Sequence, residues 1–194
     1  RMPMKLSVPN KCAIVALLGT LLINSATGEE KSKGAKPDAA DPKMQEMMKK
    51  WEAAATPGAA HKALDPLVGE WNITSRFWMA PDAPPTESKG TSKAQWILGG
   101  RFVQEEHDGD FMGMPFKGIG TTGYDNLKKK YVNMWIDNMG TGLFTSEGKA
   151  SEDNKVFTFE GKMDDPMTGE KDKRMKFITR IDGPDKHTFE MHDL

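Results

Sequence analysis

The stretch Leu67-Val68-Gly69-Glu70-Trp71, with the residues that follow it, constrains this chain more than any other feature. From Trp71 onward, short runs of alternating apolar and polar residues recur, each bounded by Gly, Pro, Asn or Asp. Period-2 runs separated by turn residues read as strands joined by tight turns. The pattern predicts nine strands: Trp71–Met79, Lys89–Leu98, Arg101–His107, Phe116–Tyr124, Tyr131–Asn138, Gly142–Ala150, Lys155–Met163, Lys173–Ile181 and His187–Met191. Connections this short favour up-and-down antiparallel order over a Greek key, in a barrel or a sandwich. Ala80–Pro85 (APDAPP) is too rich in proline for a strand interior and reads as a long connection.

Ahead of the strands the chain divides into segments. Residues 1–28 read as a secretory signal, with basic Arg1, Lys5 and Lys11, an uncharged apolar run over Cys12–Ile23, and a small polar stretch over Asn24–Gly28. A membrane anchor would need about 20 apolar residues. Its removal takes away three basic residues, no acidic one and the only cysteine, leaving 24 Lys+Arg against 28 Asp+Glu. The expected product is exported, periplasmic or secreted, mildly acidic, and held by its core without disulfides. The longest basic run, Lys128-Lys129-Lys130, falls at an expected hairpin turn, so nucleic acid is a poor partner.

Residues 29–40 read as a disordered linker. Residues 41–56 read as an amphipathic helix, capped by Asp41, opened by Pro42 and stopped at Thr56-Pro57-Gly58. Its stripe of Met44, Met47, Met48 and Trp51 is expected to dock on the body of the domain; a partner-binding helix is the alternative. His61–Leu67 reads as a second short helical turn. The last residues break off inside an apparent strand, so the reading frame is expected to continue past Leu194.

The fifth strand carries apolar groups on both faces. Tyr131, Asn133, Trp135 and Asp137 share one side; Val132, Met134 and Ile136 share the other. With Trp71, Ile73 and Phe77 of the first strand, the former four are candidate lining residues for a small apolar or aromatic ligand. Arg76 and His107 are candidate polar anchors. A mixed aromatic and polar interior suits a ligand cavity, and equally an ordinary core with satisfied polar groups.

Gly118-Ile119-Gly120-Thr121-Thr122-Gly123 spells the dinucleotide pattern, but a strand follows it where that fingerprint needs a helix. Glycines alternating in a strand instead mark a bend or the close approach of another element. His61, His107, His187 and His192 include no pair at metal-ligand spacing; His187 and His192, five apart, fall on opposite faces. Asp108-Gly109-Asp110 and Asp164-Asp165 are only fragments of a calcium loop. No metal is expected, and haem on His107 or His187 is the one cofactor reading left open. Glu105 and Glu106 point to opposite faces, and no Gly-x-Ser-x-Gly elbow occurs. Asn72-Ile73-Thr74 is a formal glycosylation sequon inside a strand. A non-enzymatic binding protein fits these observations. A hydrolase or isomerase working through Asp137 or His107, and an interaction protein using the helix, are the alternatives.

Four stretches carry a family resemblance: Thr56-Pro57-Gly58 with His61-Lys62 and Leu64; Leu67–Trp71; Phe116–Asp125 (FKGIGTTGYD); and Lys130–Gly142 (KYVNMWIDNMGTG). On these, residues 61–194 resemble domain of unknown function 1579, a bacterial family regarded as lipocalin-like (calycin). The resemblance implies an all-β fold: an up-and-down antiparallel lipocalin-like β-barrel of nine or ten strands, preceded by an N-terminal helix. It implies no established activity. It also implies a further strand after the last residue, so that the barrel is C-terminally truncated here. In such a barrel Gly69 would let the entering chain pass close to the sheet. Trp71 would plug the floor, its indole N–H seeking an acceptor, and Tyr124-Asp125-Asn126 would fix a hairpin turn.

Overall fold

The structure is a computed structural model and describes residues 41–78, 82–166 and 168–194. The expected signal (1–28) and linker (29–40) lie outside the described residues, as do Met79, Ala80, Pro81 and Met167.

Helix α1 spans Pro42–Ala55, with the Asp41 carboxylate accepting from the Lys43 N–H at 2.9 Å and proline in the first turn. It ends at Thr56, whose extended backbone is what the following proline imposes. The last turn is held from outside. The side-chain amide of Asn126 donates towards the carbonyls of Ala54 (3.1 Å) and Thr56 (2.9 Å), with Ala53 at 3.4 Å. The expected docking of the Met/Trp stripe does not occur: no α1 residue is buried, and Met47, Met48 and Trp51 are 55%, 52% and 66% exposed. The helix is attached by its C-terminal end and not by a face, so its amphipathic spacing has no receiving surface within the domain. No helix among the described residues is long and apolar enough to cross a membrane.

A plug follows, formed by helix α2 (Ala59–Lys62) and a 3-10 turn (Asp65–Leu67). Leu64 between them is fully buried, and His61 is buried. His61 Nδ1 accepts from the Gly58 N–H at 3.0 Å, and its ring meets Tyr124 edge-on. Polar tips from the strands fasten the plug. Trp71 Nε1 donates to the Leu67 carbonyl (3.1 Å), Trp96 Nε1 to Asp65 Oδ1 (2.9 Å), and the Tyr131 hydroxyl to the Ala60 carbonyl (3.0 Å). The acceptor for the half-buried Trp71 indole is therefore the plug's own backbone.

Nine strands form one antiparallel sheet in sequence order: β1 (Gly69–Phe77), β2 (Thr86–Ile97), β3 (Phe102–Phe111), β4 (Met114–Asp125), β5 (Lys130–Asp137), β6 (Phe144–Ala150), β7 (Val156–Met163), β8 (Lys173–Gly183) and β9 (Lys186–Asp193). The sheet curls into a half-barrel. Every pairing joins neighbours in sequence, and β1 and β9 are its two edges. The largest departure from the sequence expectation is the β3–β4 hairpin, which runs on to the pair Phe111↔Met114. Met112 and Gly113, both at positive φ (55° and 83°), form its two-residue turn. Asp108-Gly109-Asp110 is therefore strand. Asp108 pairs with Lys117, and Asp110 accepts from the Gly113 N–H at 2.8 Å. The lysine triplet is turn, as expected. Lys128 and, next, Lys130 bond to Glu147 and hold its carboxyl down to about 2.

The concave face carries the core: Ala94, Val103, Tyr131, Phe157, Phe159, Met175 and Phe177 pack with Leu64 of the plug. Tyr131 joins Tyr124 and Phe157 edge-on, at 5.0 and 5.1 Å between centroids. Burial pushes the Tyr131 hydroxyl upward in pKa, and Tyr124 adds to the effect.

Candidate functional site

Strand register places the seven candidate lining residues on one face. Trp71 lies opposite Ser92, Ser92 opposite His107, His107 opposite Gly118 and Gly118 opposite Asp137, giving one row across β1–β5. The next row towards the plug runs Gly69, Ala94, Glu105, Gly120, Trp135. The next row away from it runs Ile73, Gly90, Gly109, Phe116. Phe77 stands further out on β1, 38% exposed, while Tyr131 and Asn133 lie nearer the plug. Tyr131 is buried and its hydroxyl serves the plug; Asn133 Nδ2 donates to Thr122 Oγ1 at 2.9 Å. Arg76 belongs to the opposite face, where it pairs with Glu87 at 2.8 Å, so it cannot anchor anything on the concave side.

The aromatic side chains away from the plug form a cluster. Phe77 meets Phe111 at 5.7 Å, Phe111 meets Phe116 at 6.3 Å, and Phe116 stacks on Trp135 at 6.3 Å with planes 15° apart. The His107 ring stands edge-on to Phe116 (5.3 Å) and to Trp135 (6.3 Å). Glycine makes this arrangement fit. The Trp135 indole lies over β4, where a Cβ on Gly118 would come within 2.2 Å of the ring and one on Gly120 within 3.1 Å. Of the two meanings expected for alternating glycines, close approach is the one found. The cross-strand pair Gly90↔Gly109 leaves the sheet bare beneath the cluster, with His107 Nε2 3.4 Å from either glycine's Cβ position. Gly69 is different: its Cβ position meets the Trp71 ring at an ordinary 3.6 Å, and its φ of 151° is the constraint.

The polar groups of the site fall into two kinds. Asp137 is fully engaged, Oδ2 accepting from Trp135 Nε1 at 2.8 Å and Oδ1 from the Met139 N–H at 2.9 Å. Ser92 is 4% exposed and its hydroxyl has no partner; His187 Nδ1 is buried and also lacks one. The His187 ring packs edge-on against Trp71 at 4.4 Å. Burial lowers the pKa of both His107 and His187. In each case the Glu105 carboxylate is the leading opposing influence, followed by Asp108 for His107 and Asp182 for His187. Glu105 shares the concave face with His107, two residues along β3, and its charge is felt by both rings. His107 Nε2 lies 3.4 Å from the Cβ positions of Gly90 and Gly109, and His187 packs edge-on against Trp71. His192 points the other way, to Glu190. Among the described residues no three His, Cys, Asp or Glu side chains group as a metal site.

Ser92, Glu105, Gly90 and Gly109 were not singled out as site residues from the sequence. The signal for Glu105 was present in the split between the faces of Glu105 and Glu106; that for Ser92 lies only in its register with Trp71. An open groove of about 930 Å³ across β1–β5 is lined mainly by outward-pointing residues such as Glu70, Lys93, Glu106, Asp108 and Lys117. Those side chains are exposed, so the groove is a wet surface trough and not an apolar pocket.

Residues 56–194 match the family described as "Protein of unknown function (DUF1579)". No curated protein matches the chain.

Proposed function

The chain belongs to the DUF1579 family, whose description assigns no activity, and from the concave face itself we propose that this protein is an exported, non-enzymatic half-barrel that holds a small, largely apolar molecule. The observation that carries the reading is the Gly90↔Gly109 pair, a stretch of sheet without side chains of its own under the edge of His107 and beside Phe111, Phe116 and Trp135. The two glycines add no side chain of their own, so only the edge of the His107 ring overlies this patch, and aromatic rings flank it, as a flat apolar ligand needs. Ile73, Trp71 and Phe77 extend the same lining, and Asp137 supports Trp135 from behind. Tyr131 and Asn133 serve the core beneath. The Gly-x-Trp opening, the meander and the plug support a lipocalin-like reading of the architecture, and the features of residues 1–28 support export.

The test is binding. Intrinsic tryptophan fluorescence and native mass spectrometry across a panel of lipids and aromatic compounds should give a saturable one-to-one complex that quenches Trp135. A Gly90→Leu variant, which fills the floor, should lose it. A panel with no binder would end the proposal.

A further inference from the structure

The charges of the concave face are one-sided. On the inward positions of β1–β5 stand two carboxylates, Glu105 and Asp137, and no Lys or Arg among the described residues. The cations of these strands, Arg76, Lys89, Lys93, Lys117 and Lys130, occupy the opposite register. The inward lysine of the other half of the sheet, Lys173, is already shared by Asp165 (3.2 Å) and Asp193 (2.8 Å). Asp137 is held by two N–H donors, one on each oxygen. Glu105 has no ion-pair partner among the described residues, and its neighbours are the two imidazoles and the Trp135 face. Burial drives both imidazoles towards their neutral form, so neither supplies the missing cation. One row away, the deeply buried Ser92 hydroxyl and the buried His187 Nδ1 remain without partners. Buried polar atoms left unpaired are costly, and the half-buried Glu105 carboxylate stands open beside them.

We propose that the ligand of this face is an amine-headed apolar molecule, its cationic head received by Glu105 and Ser92 between His107 and His187, and its body laid over the Gly90↔Gly109 floor against Phe116 and Trp135. The proposal rests on the binding function proposed above and adds its charge selectivity. An ammonium donates to Glu105 and Ser92, and lies beside the faces of Trp71 and Trp135, where cation–π attraction adds to the pairing. A carboxylate head would meet Glu105 with like charge in a partly desolvated site. A fatty acid is therefore the molecule this face rejects.

The experiment compares three ligands that share one body and differ in the head: naphthylethylamine, naphthylethanol and naphthylacetate, titrated by calorimetry into the full chain at neutral pH. The amine should bind about tenfold or more tightly than the acetate, with the alcohol between them. Glu105→Gln should bring the amine down to the level of the alcohol. Glu106→Gln, on the opposite face, should leave the ranking unchanged. Equal affinities, or tightest binding of the acetate, would overturn the head assignment while leaving the pocket standing; no binding of any of the three would overturn both. A preference for the amine that survives in folded Glu105→Gln would also overturn it. Should that variant fail to fold, the ranking in the unmodified protein decides.

Discussion

The indole of Trp71 and the imidazole of His187 meet edge to face, 4.4 Å between centroids, although the strands that carry them do not pair. β1 and β9 are the free edges of the sheet, and this contact joins them at the concave side. His187→Ala should leave the β4–β5 centre intact and loosen the edge. Hydrogen exchange of β9 amides should rise by about tenfold or more, with little change in the amides of β4.

Protonation of the buried histidines should weaken the fold. His61, His107 and His187 all have pKa values lowered by burial below the ordinary 6.5. The unfolded chain then binds protons more readily than the folded one, so stability is fully present above about 6.5 and is lost as pH falls through and below that value. The urea midpoint should drop steadily between pH 7 and pH 5. A His187→Gln variant should show a shallower slope over that range.

Trp135 and Gly118 are mutually dependent. Gly118→Ala places a methyl group where the indole lies, and should cost about 1–3 kcal/mol in denaturant melts. Combined with Trp135→Leu, the same change should cost much less than the two single costs together, which a double-mutant cycle reads directly.

The plug and the preceding helix should respond in opposite ways. Leu64 is fully buried, so Leu64→Ala should cost about 2–5 kcal/mol. Trp51, the largest side chain of the α1 stripe, is 66% exposed, and Trp51→Ala should change the midpoint by less than about 0.5 kcal/mol. Asn126→Ala should leave the sheet in place and fray the last turn of α1, read as faster exchange at Lys49–Thr56.

Which face each strand residue occupies was legible from the sequence, because a period of two needs no knowledge of neighbours. It placed Trp135 with Asp137, set Glu105 against Glu106, and parted His187 from His192. What a residue meets across the sheet was not legible. The Trp135 cover over Gly118 depends on β4–β5 register, the bare Gly90↔Gly109 floor on β2–β3 register, and the Trp71–His187 contact on how far nine strands curl. Asp108-Gly109-Asp110 reads as a calcium-loop fragment beyond a strand ending at His107, yet it is strand, and the turn, Met112-Gly113, lies just after it. The α1 stripe misled for another reason. Spacing reveals an apolar side but not whether anything waits to receive it.

The Asn126 amide moors the far end of a 14-residue rod. At 1.5 Å per residue, that rod sets Asp41 roughly 20 Å from the β4–β5 turn. Whatever tugs on the upstream polypeptide would act on the half-barrel through a lever of that length, pivoting on one asparagine side chain.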